Sequence, residues 1–281
     1  MRWRLHAAIF SGLERLAEAK AYLLSMGDQV QVVSGRHSSL PPVEAGGHKE
    51  VPFLAITTLQ DARLLRMPDR AVPVLYWDAA RYDVSYWMPR VGSDIPVLNR
   101  TGLFYPLGML LAANKGIPAW LGIGGAAFVK PDKGHKQFTG FTAPVTETGL
   151  DLTNEYQLRG LAPELMCLIA PASKLAMAEW RFWIVNRKVV AWSPYSWSEP
   201  EMKWEPAPAH VQKVAEAMAR NQWQPDIAYV VDIAMVEEEP FLLEINAAST
   251  SGVYDAPLIP LLSALRDAAH LEMAGELTVL D

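Results

Sequence analysis

Cysteine, positive charge and long apolar runs are all scarce in this sequence. Its single cysteine, Cys167, cannot form an internal disulfide, and its apolar neighbours LMCLIA favour a small buried side chain. A chain without disulfides suits a reducing compartment, so we expect a cytoplasmic protein. The opening MRWRLHAAIF is basic, but its apolar stretch is too short for a signal-peptide core or a membrane span. We therefore expect no membrane partner.

The charged residues and the histidines give no support to two further classes of protein. Lys and Arg number 25 against 31 Asp and Glu, which gives a formal net charge of -6. A nucleic-acid surface normally requires an excess of positive charge, so we expect no nucleic-acid partner. The six histidines show no zinc-ligand spacing, and no Ser/His elbow motif indicates a hydrolase.

What remains is the composition of a globular protein, with 51% hydrophobic and 20% charged residues. The chain is long enough for one large or two modest domains with a real core. Apolar spacing predicts a helix over Leu13–Met26, a strand over Val30–Val33 and an irregular loop over Arg36–Lys49. Short strands are predicted in AVPVLYWD and IPVLN. We place a domain boundary near residue 100, dividing 1–100 from 101–281.

The second part begins with a predicted helix over Thr101–Asn114, stopped by Gly116 and Pro118. The glycines of GIGGAAF precede a strand, unlike a dinucleotide fingerprint, and predict a turn. Strands are predicted in AAFVKP and ELMCLIAP. Hairpins are predicted in EWRFWIVNRKVVAWSPY, which turns at Asn-Arg-Lys, and in YVVDIAMVEEEPFLLEIN. Two further helices are predicted over Pro206–Trp223 and Pro257–Leu271.

The second hairpin carries three oxygen-bearing side chains. With a three-residue turn over Glu237–Glu239, Asp232 lies opposite Glu244, and Asn246 follows on the same face. Two carboxylates this close repel unless a hard cation lies between them, and Mg²⁺ prefers oxygen ligands. The apolar flanks and the small-residue loop AASTSGVYD favour this site over a solvent-facing hairpin. A four-residue turn would move Asp232 to the opposite face unless a bulge intervened.

Four basic residues form a second group. Lys130 ends a strand, and Lys133 and Lys136 follow in a glycine-containing loop whose backbone can approach phosphates closely. An ordinary basic surface loop is the alternative. Arg181 lies within a strand among aromatic residues, where a charge is rarely left unpaired. It serves either an anionic ligand or a structural carboxylate such as Glu179.

Three stretches resemble successive blocks of the ATP-grasp superfamily, in particular its clade named for one arginine and two lysines. They are FVKPDKGHKQFTG, EWRFWIVNRKVVAWSPY and VVDIAMVEEEPFLLEINAASTSGVYD, within roughly Leu121–Asp255. The resemblance implies an α+β ATP-grasp fold, in which two α+β subdomains grip ATP. A smaller α/β pre-ATP-grasp domain would precede it, and the implied cofactors are ATP and Mg²⁺.

The resemblance also implies roles for individual residues. Arg181 and Lys136 would be catalytic, with Arg181 holding the transferred phosphoryl group or acyl phosphate. Lys130 and Lys136 would contact the phosphates of ATP, and backbone groups of Leu168, Ile169 and Ala170 would bind adenine. Lys133 is expected to bind the nucleotide from its place in the glycine-containing loop. Magnesium would be held by Asp232, Glu244 and Asn246.

The implied activity is that of an ATP- and Mg-dependent carboxylate-amine ligase that acts through an acyl phosphate. Its substrates would be small-molecule or peptide carboxylates and amines. Two alternatives remain open, a kinase-like ATP-grasp phosphotransferase and a non-catalytic nucleotide-binding module. The sequence leaves the oligomeric state open.

Overall fold

A computed structural model describes residues 1–35, 53–65, 75–112, 116–134, 136–172, 178–195 and 206–279. The predicted loop over Arg36–Lys49 lies outside these ranges. Across them the strands form three sheets, one parallel and two antiparallel. Within these ranges, the helices all fall short of the length and apolarity that a membrane crossing requires.

The first sheet is parallel and comes from the N-terminal part of the chain. Its strands have the order β2-β1-β3, and α1 connects β1 to β2. The helix ends as predicted, because Gly27 adopts φ +77°, a conformation that costs glycine little. The short strands β1 and β3 were not predicted. The elements are β1 Arg2–His6, α1 Leu13–Ser25, β2 Gln29–Val33, β3 Phe53–Ile56 and α2 Leu59–Leu65.

The second sheet has five antiparallel strands in the order β4-β8-β5-β6-β7. Cys167 lies buried in β8, as expected. The sheet and its neighbouring helices comprise α3 Val84–Trp87, β4 Leu103–Pro106, α4 Leu107–Leu111, α5 Gly116–Leu121, β5 Ala126–Pro131, β6 Phe141–Thr146, β7 Gly149–Leu150 and β8 Met166–Pro171.

The helix predicted over Thr101–Asn114 is wrong over its first half. Residues 103–106 form β4 instead, because they pair with β8, and the helix starts only after Pro106. Gly116 and Pro118 do not stop a helix but belong to the first turn of α5. Proline is tolerated there because its missing N–H has no intrahelical acceptor. The glycine turn before β5 is confirmed, with Gly122 and Gly124 both at φ +82°.

The third sheet is the central sheet, antiparallel in the order β10-β9-β11-β12. Asn186 and Arg187 form its first turn, both at positive φ, so that Lys188 already belongs to the next strand. Both predicted helices of this region are confirmed, with shifted ends. The elements are β9 Glu179–Val185, β10 Lys188–Pro194, α6 Ala209–Arg220, β11 Ala228–Val236, β12 Glu239–Ala247 and α7 Leu258–Met273.

Hydrophobic cores cover both faces of the central sheet. One core joins Trp183 to β1, α1 and α7, and the other joins Phe182 to α6 and to the segment 82–97. Residues from before position 100 therefore contribute to both cores, and the domain boundary predicted there stays a prediction. Described residues 75–78 and 95–99 form no strands, apart from one isolated bridge between Val97 and Leu242. The strands predicted in AVPVLYWD and IPVLN are therefore wrong over these residues.

Candidate active site

The hairpin of β11 and β12 has a shorter turn than the sequence predicted. Val236 pairs with Glu239, so Glu237 and Glu238 alone form the turn, and Glu237 has φ +57°. Side chains alternate along a strand, so a change of one residue in register exchanges the two faces. Continued without interruption, this register would place Asp232 opposite an apolar residue and not opposite Glu244.

A β-bulge at Leu243 restores the predicted arrangement. Ile233 pairs with Leu242, whereas Asp232 pairs with Glu244, which leaves Leu243 as the extra residue. The facing of Asp232 and Glu244 is thus confirmed, although the predicted turn length is wrong. Leu243 at the bulge and the neighbouring Glu244 both line one cavity.

Arg181 joins Asp232, Glu244 and Asn246 from a third strand. We call these four side chains the polar row. Arg181 pairs with Asp232 from β9, on the side of β11 opposite to Glu244. The guanidinium donates from Nε to Asp232 Oδ1 and from Nη2 to Oδ2, each at 2.7 Å. Asp232 is fully buried and Arg181 is 5% exposed. This bidentate contact fixes both side chains, because the planar fork of arginine matches the two carboxylate oxygens.

Asn246 and Lys136 complete a continuous set of hydrogen bonds. The Asn246 amide donates to Asp232 Oδ2 at 2.8 Å and to Glu244 Oε1 at 2.9 Å. Lys136 Nζ donates to the same Glu244 oxygen at 2.9 Å. The structure therefore brings together Arg181, Asp232, Glu244, Asn246 and Lys136, which the sequence had assigned to two separate groups.

Two tyrosines lie against the guanidinium of Arg181. Its Cζ atom lies 4.6 Å from the ring centroid of Tyr195 and 5.1 Å from that of Tyr254. The two rings are 5.0 Å apart. Such contacts stabilise a cation electrostatically and fix the plane of its donors.

The polar row lies beside a cavity of about 610 Å³. Its apolar lining includes Val84, Trp87, Leu98, Phe128, Phe138, Phe141 and Leu243. Its polar lining includes Lys130, Lys136, Glu179, Tyr195, Glu244 and Asn246. Arg181 and Asp232 lie behind the residues that line it. The cavity thus combines an apolar surface with cationic and anionic groups at one wall.

Lys130 differs from the other cations of this wall in its hydrogen bonding. Among the described residues, its ammonium donates no hydrogen bond and forms no ion pair, although it lines the cavity. Burial lowers its pKa, and the nearby Glu244 carboxylate opposes that effect. An unpaired cation in a concave site is a ready partner for an anionic ligand.

Lys133 and the three β8 residues predicted to bind the nucleotide have other contacts than Lys130. Lys133 lines the cavity, but its ammonium donates to Asp83 at 2.6 Å. Leu168, Ile169 and Ala170 lie buried in β8 between β4 and β5, and they are not among the described residues that line the cavity. The adenine-binding role of those three residues stays a prediction.

The ionisation of the wall follows from its charges. Burial acts to raise the pKa of Glu244, but Lys136, Lys130 and the Asn246 hydrogen bond hold it well below its usual range. Burial likewise acts against the charged form of Lys136, and Glu244 outweighs it, so the pKa of Lys136 is raised. Burial, followed by the charges of Asp232 and Glu244, raises the pKa of Glu179 to about 9.

The raised pKa of Glu179 predicts a pH-dependent stability. Its ordinary pKa is 4.5, so between that value and about 9 the folded protein binds a proton that the unfolded chain has released. The free energy of unfolding should then fall as the pH rises through this range. Glu179→Gln removes this titration. The stability of the variant relative to that of the wild type should therefore increase as the pH rises from about 5 to about 8.5. Urea denaturation of both proteins across this range measures it, and a constant difference would contradict it.

The donor set of the polar row fits a hard cation. Asp232 Oδ2 and Glu244 Oε1 both lie within hydrogen-bond reach of the Asn246 amide, so the three side chains converge on one point. Mg²⁺ prefers oxygen ligands, and a reversed amide would present its oxygen at the same place. No group of three or more His, Cys, Asp or Glu side chains has metal-binding spacing within the described ranges. Two carboxylates and one amide leave coordination positions for phosphate oxygens and water.

Several residues of the site were not identified from the sequence. Leu243 lines the cavity at the bulge, and no local pattern in FLLEIN indicates a bulge. Glu179 was considered only as a partner for Arg181. Tyr195 and Tyr254 are 59 residues apart along the chain, and only the fold places both beside Arg181. The sequence likewise did not predict that segment 82–98 contributes apolar residues to the cavity, because that segment belongs to the part predicted as a separate domain.

Comparison with known proteins places this chain in a family. A family model described as ATP-grasp domain, R2K clade family 2, matches residues 121–261, half of the chain. No curated protein sequence matches the chain.

Solved structures resemble the whole chain. A RimK domain protein ATP-grasp from Sphaerobacter thermophilus has TM-score 0.55 and 16% identity, covering 97% of both chains. A D-alanine–D-alanine ligase from Bacillus anthracis has TM-score 0.57 and 13% identity, covering 98% of this chain and 99% of its own. At such identities the likeness shows the fold alone. Together with the family match, it shows that the chain belongs to the R2K clade of the ATP-grasp family and has the ATP-grasp fold.

Proposed function

We propose that this protein is an ATP- and Mg-dependent carboxylate-amine ligase that forms an amide or peptide bond through an acyl phosphate. The observation that carries the proposal is the hydrogen-bonded row of Arg181, Asp232, Glu244 and Asn246 beside the cavity. Lys130 and Lys136 line the same cavity. Carboxylates that hold a cation and ammonium groups that hold phosphates are the two requirements for phosphoryl transfer.

The lysines would bind the phosphates of ATP. Lys130 is available as it stands, whereas Lys136 donates to Glu244. A divalent cation held by Asp232, Glu244 and Asn246 would replace that ammonium as the counter-charge of Glu244. Lys136 would then be released toward the phosphates, on the same side of the cavity. Bound Mg²⁺ would supply neutralisation of the charge on the transferred phosphoryl group.

Arg181 would act on the same charge from behind the carboxylates. Its bonds to Asp232 use two of its five N–H groups. The remaining donors can hold an oxygen of the phosphoryl group or of the acyl phosphate. The carboxylate substrate attacks the terminal phosphorus of ATP and ADP leaves. The amine then attacks the acyl carbon, phosphate leaves with the bonding electron pair, and the nitrogen loses a proton.

The likeness to other ligases supports this reaction class. One similar structure is described as D-cycloserine synthetase DcsG, and another as ATP-grasp ligase PsnB complexed with minimal precursor, Mg and ADP. These descriptions cover both small-molecule and peptide substrates. For this chain we propose a small-molecule or peptide carboxylate and an amine, in an intracellular setting.

The activity is tested by trapping the activated carboxylate. The protein is incubated with ATP, Mg²⁺, hydroxylamine and panels of amino acids and short peptides, and hydroxamates and ADP are measured by mass spectrometry. A ligase gives ADP and a hydroxamate in equal amounts. ADP with a stable phosphorylated hydroxyl compound would indicate the kinase-like alternative instead. Nucleotide binding without ADP formation on any panel member would support the non-catalytic alternative.

Lys130→Ala should abolish most of the turnover with little loss of stability. The ammonium donates no hydrogen bond among the described residues, and Lys136 still neutralises Glu244 when Lys130 is removed. Loss of one charge stabiliser typically lowers turnover by about 10²–10³-fold. Steady-state ADP release and thermal denaturation measure the two properties, with Lys213→Ala on the exposed face of α6 as the control. Wild-type turnover in Lys130→Ala would remove the lysine from the phosphate site.

A further inference from the structure

Two buried aspartates hold the loop that follows β5 to the segment 82–87. One aspartate lies on the segment and accepts hydrogen bonds from the loop, and the other lies on the loop and accepts hydrogen bonds from the segment. From the segment, Asp83 accepts hydrogen bonds from Lys133 Nζ at 2.6 Å and from the Gly134 amide at 3.3 Å. From the loop, Asp132 accepts bonds from the Ser85 amide at 2.7 Å and the Ser85 hydroxyl at 2.9 Å. We call Asp83, Ser85, Asp132 and Lys133 the clamp.

The backbone between these residues is also in close contact. The Val84 amide donates to the carbonyl of Asp132 at 2.8 Å. A Cβ atom at Gly134 would lie 2.7 Å from Tyr82 Cβ and 2.9 Å from its carbonyl oxygen. Glycine is therefore required for the loop to approach the segment this closely.

Burial makes the clamp costly to open. Asp83 is 7% exposed and Asp132 is 4% exposed. A buried carboxylate without hydrogen-bond partners is strongly unfavourable. Every contact described above for these two carboxylates crosses between loop and segment, so separation would leave both unsatisfied.

The segment that holds the loop is itself fixed to the central sheet. Val84 and Trp87 belong to the core that contains Phe182, Val231 and Leu242 of that sheet. The same strands β11 and β12 carry Asp232 and Glu244. The base of the lysine loop is thereby held at a constant position relative to the proposed magnesium ligands.

The loop turns back immediately after the clamp. The Lys136 amide donates to the Lys133 carbonyl at 3.1 Å, and Lys136 has φ +40°. Its side chain then donates to Glu244 at the wall of the cavity. The position of the Lys136 ammonium thus depends on where the clamp holds residues 132–134.

We propose that the clamp is a positioning device for Lys136 and the loop backbone at the phosphate end of the bound nucleotide. Lys133 is accordingly a positioning residue that holds the loop to Asp83, and not a ligand of phosphate. This inference rests on the proposed function, because it takes ATP as the ligand of the cavity. It predicts a specific loss of affinity for the terminal phosphates.

The test compares ATP with AMP, each with Mg²⁺, by calorimetric titration. Asp83→Asn, Lys133→Met and the double variant should each bind ATP on the order of tenfold more weakly, the equivalent of one charge-assisted hydrogen bond. AMP affinity should stay within about twofold of the wild type. The double variant should be no worse than either single variant, because both residues act through one contact.

Controls separate positioning from stability. Asp28→Asn removes an aspartate that is equally buried, at 4% exposure, and bonded to the N-terminus, Trp3 and Arg266. It should lower the melting temperature and leave the ratio of ATP to AMP affinity unchanged. If Asp83→Asn does not fold, Ser85→Ala replaces it, because it removes only the hydroxyl bond to Asp132. A weakened ATP affinity in that variant supports the clamp.

Three results would overturn the inference. Equal losses for ATP and AMP that follow the melting temperature would make the clamp a purely structural contact. A loss of ATP affinity in Lys133→Met, without one in Asp83→Asn, would make Lys133 a phosphate ligand. Wild-type affinities in all variants would refute positioning while leaving the proposed function intact, whereas a wild type that fails to bind ATP would refute both.

Discussion

Arg181→Ala is expected to lower the free energy of unfolding by about 3–5 kcal/mol, the cost of breaking a buried ion pair. The substitution leaves Asp232, which is fully buried, without the guanidinium that neutralises it. Turnover should be lost as well, since the proposed phosphoryl contact disappears. The sequence left open whether Arg181 serves an anionic ligand or a structural carboxylate, and the bidentate pair establishes the structural contact. Urea denaturation and ADP release measure the two effects.

Two further variants show whether the loss of stability comes from the Asp232 carboxylate that is left without its ion-pair partner. Arg181→Leu combined with Asp232→Leu should recover most of the stability and none of the turnover, because apolar residues can replace a buried pair at little cost. Arg63→Ala, at an exposed position of α2, should change stability by no more than about 0.5 kcal/mol. Wild-type stability in Arg181→Ala would mean that the pair contributes nothing to the fold.

Glu244→Gln is expected to remove the magnesium dependence of ATP binding and to lower turnover by about 10²–10³-fold. The wild type should bind ATP weakly in chelator, because Asp232 and Glu244 then repel the triphosphate with no cation between them. The amide has nearly the shape of the carboxylate but supplies less charge to a metal ion. Calorimetric titrations with Mg²⁺ and with chelator test this for both proteins.

The matched control is Glu238→Gln, at the exposed turn of the same hairpin. It should keep the wild-type affinity under both conditions. Equal ATP affinity of the wild-type protein with and without chelator would remove the metal from the proposal. In that case Glu244 would serve only as the partner of Lys136.

The register of the hairpin of β11 and β12 shows how much of the structure the sequence predicts. A three-residue turn combined with alternation along each strand indicated that Asp232 and Glu244 share a face, and the structure confirms that facing. The turn used to derive it was wrong by one residue. The bulge at Leu243 compensates for the difference, and its occurrence depends on packing against the cavity and the neighbouring strand.

The failed helix prediction over Thr101–Asn114 has a related cause. Its apolar spacing is compatible with a helix, but residues 103–106 satisfy their backbone by pairing with β8. The partner strand lies about 60 residues later in the sequence. Local propensity is a weak preference that such non-local pairing overrides.

The sequence by itself determined the family of this protein. Residue types and their order in three blocks indicated the ATP-grasp family, and the hairpin pairing indicated which acidic side chains converge. Only the tertiary structure decided which charges neutralise each other, namely Arg181 with Asp232, Lys136 with Glu244 and Lys133 with Asp83. Each pair joins residues at least 50 positions apart, and their contacts depend on how sheets and loops pack around one cavity. Local patterns carry no information on such distances, because the energy that sets them comes from burial of the whole chain.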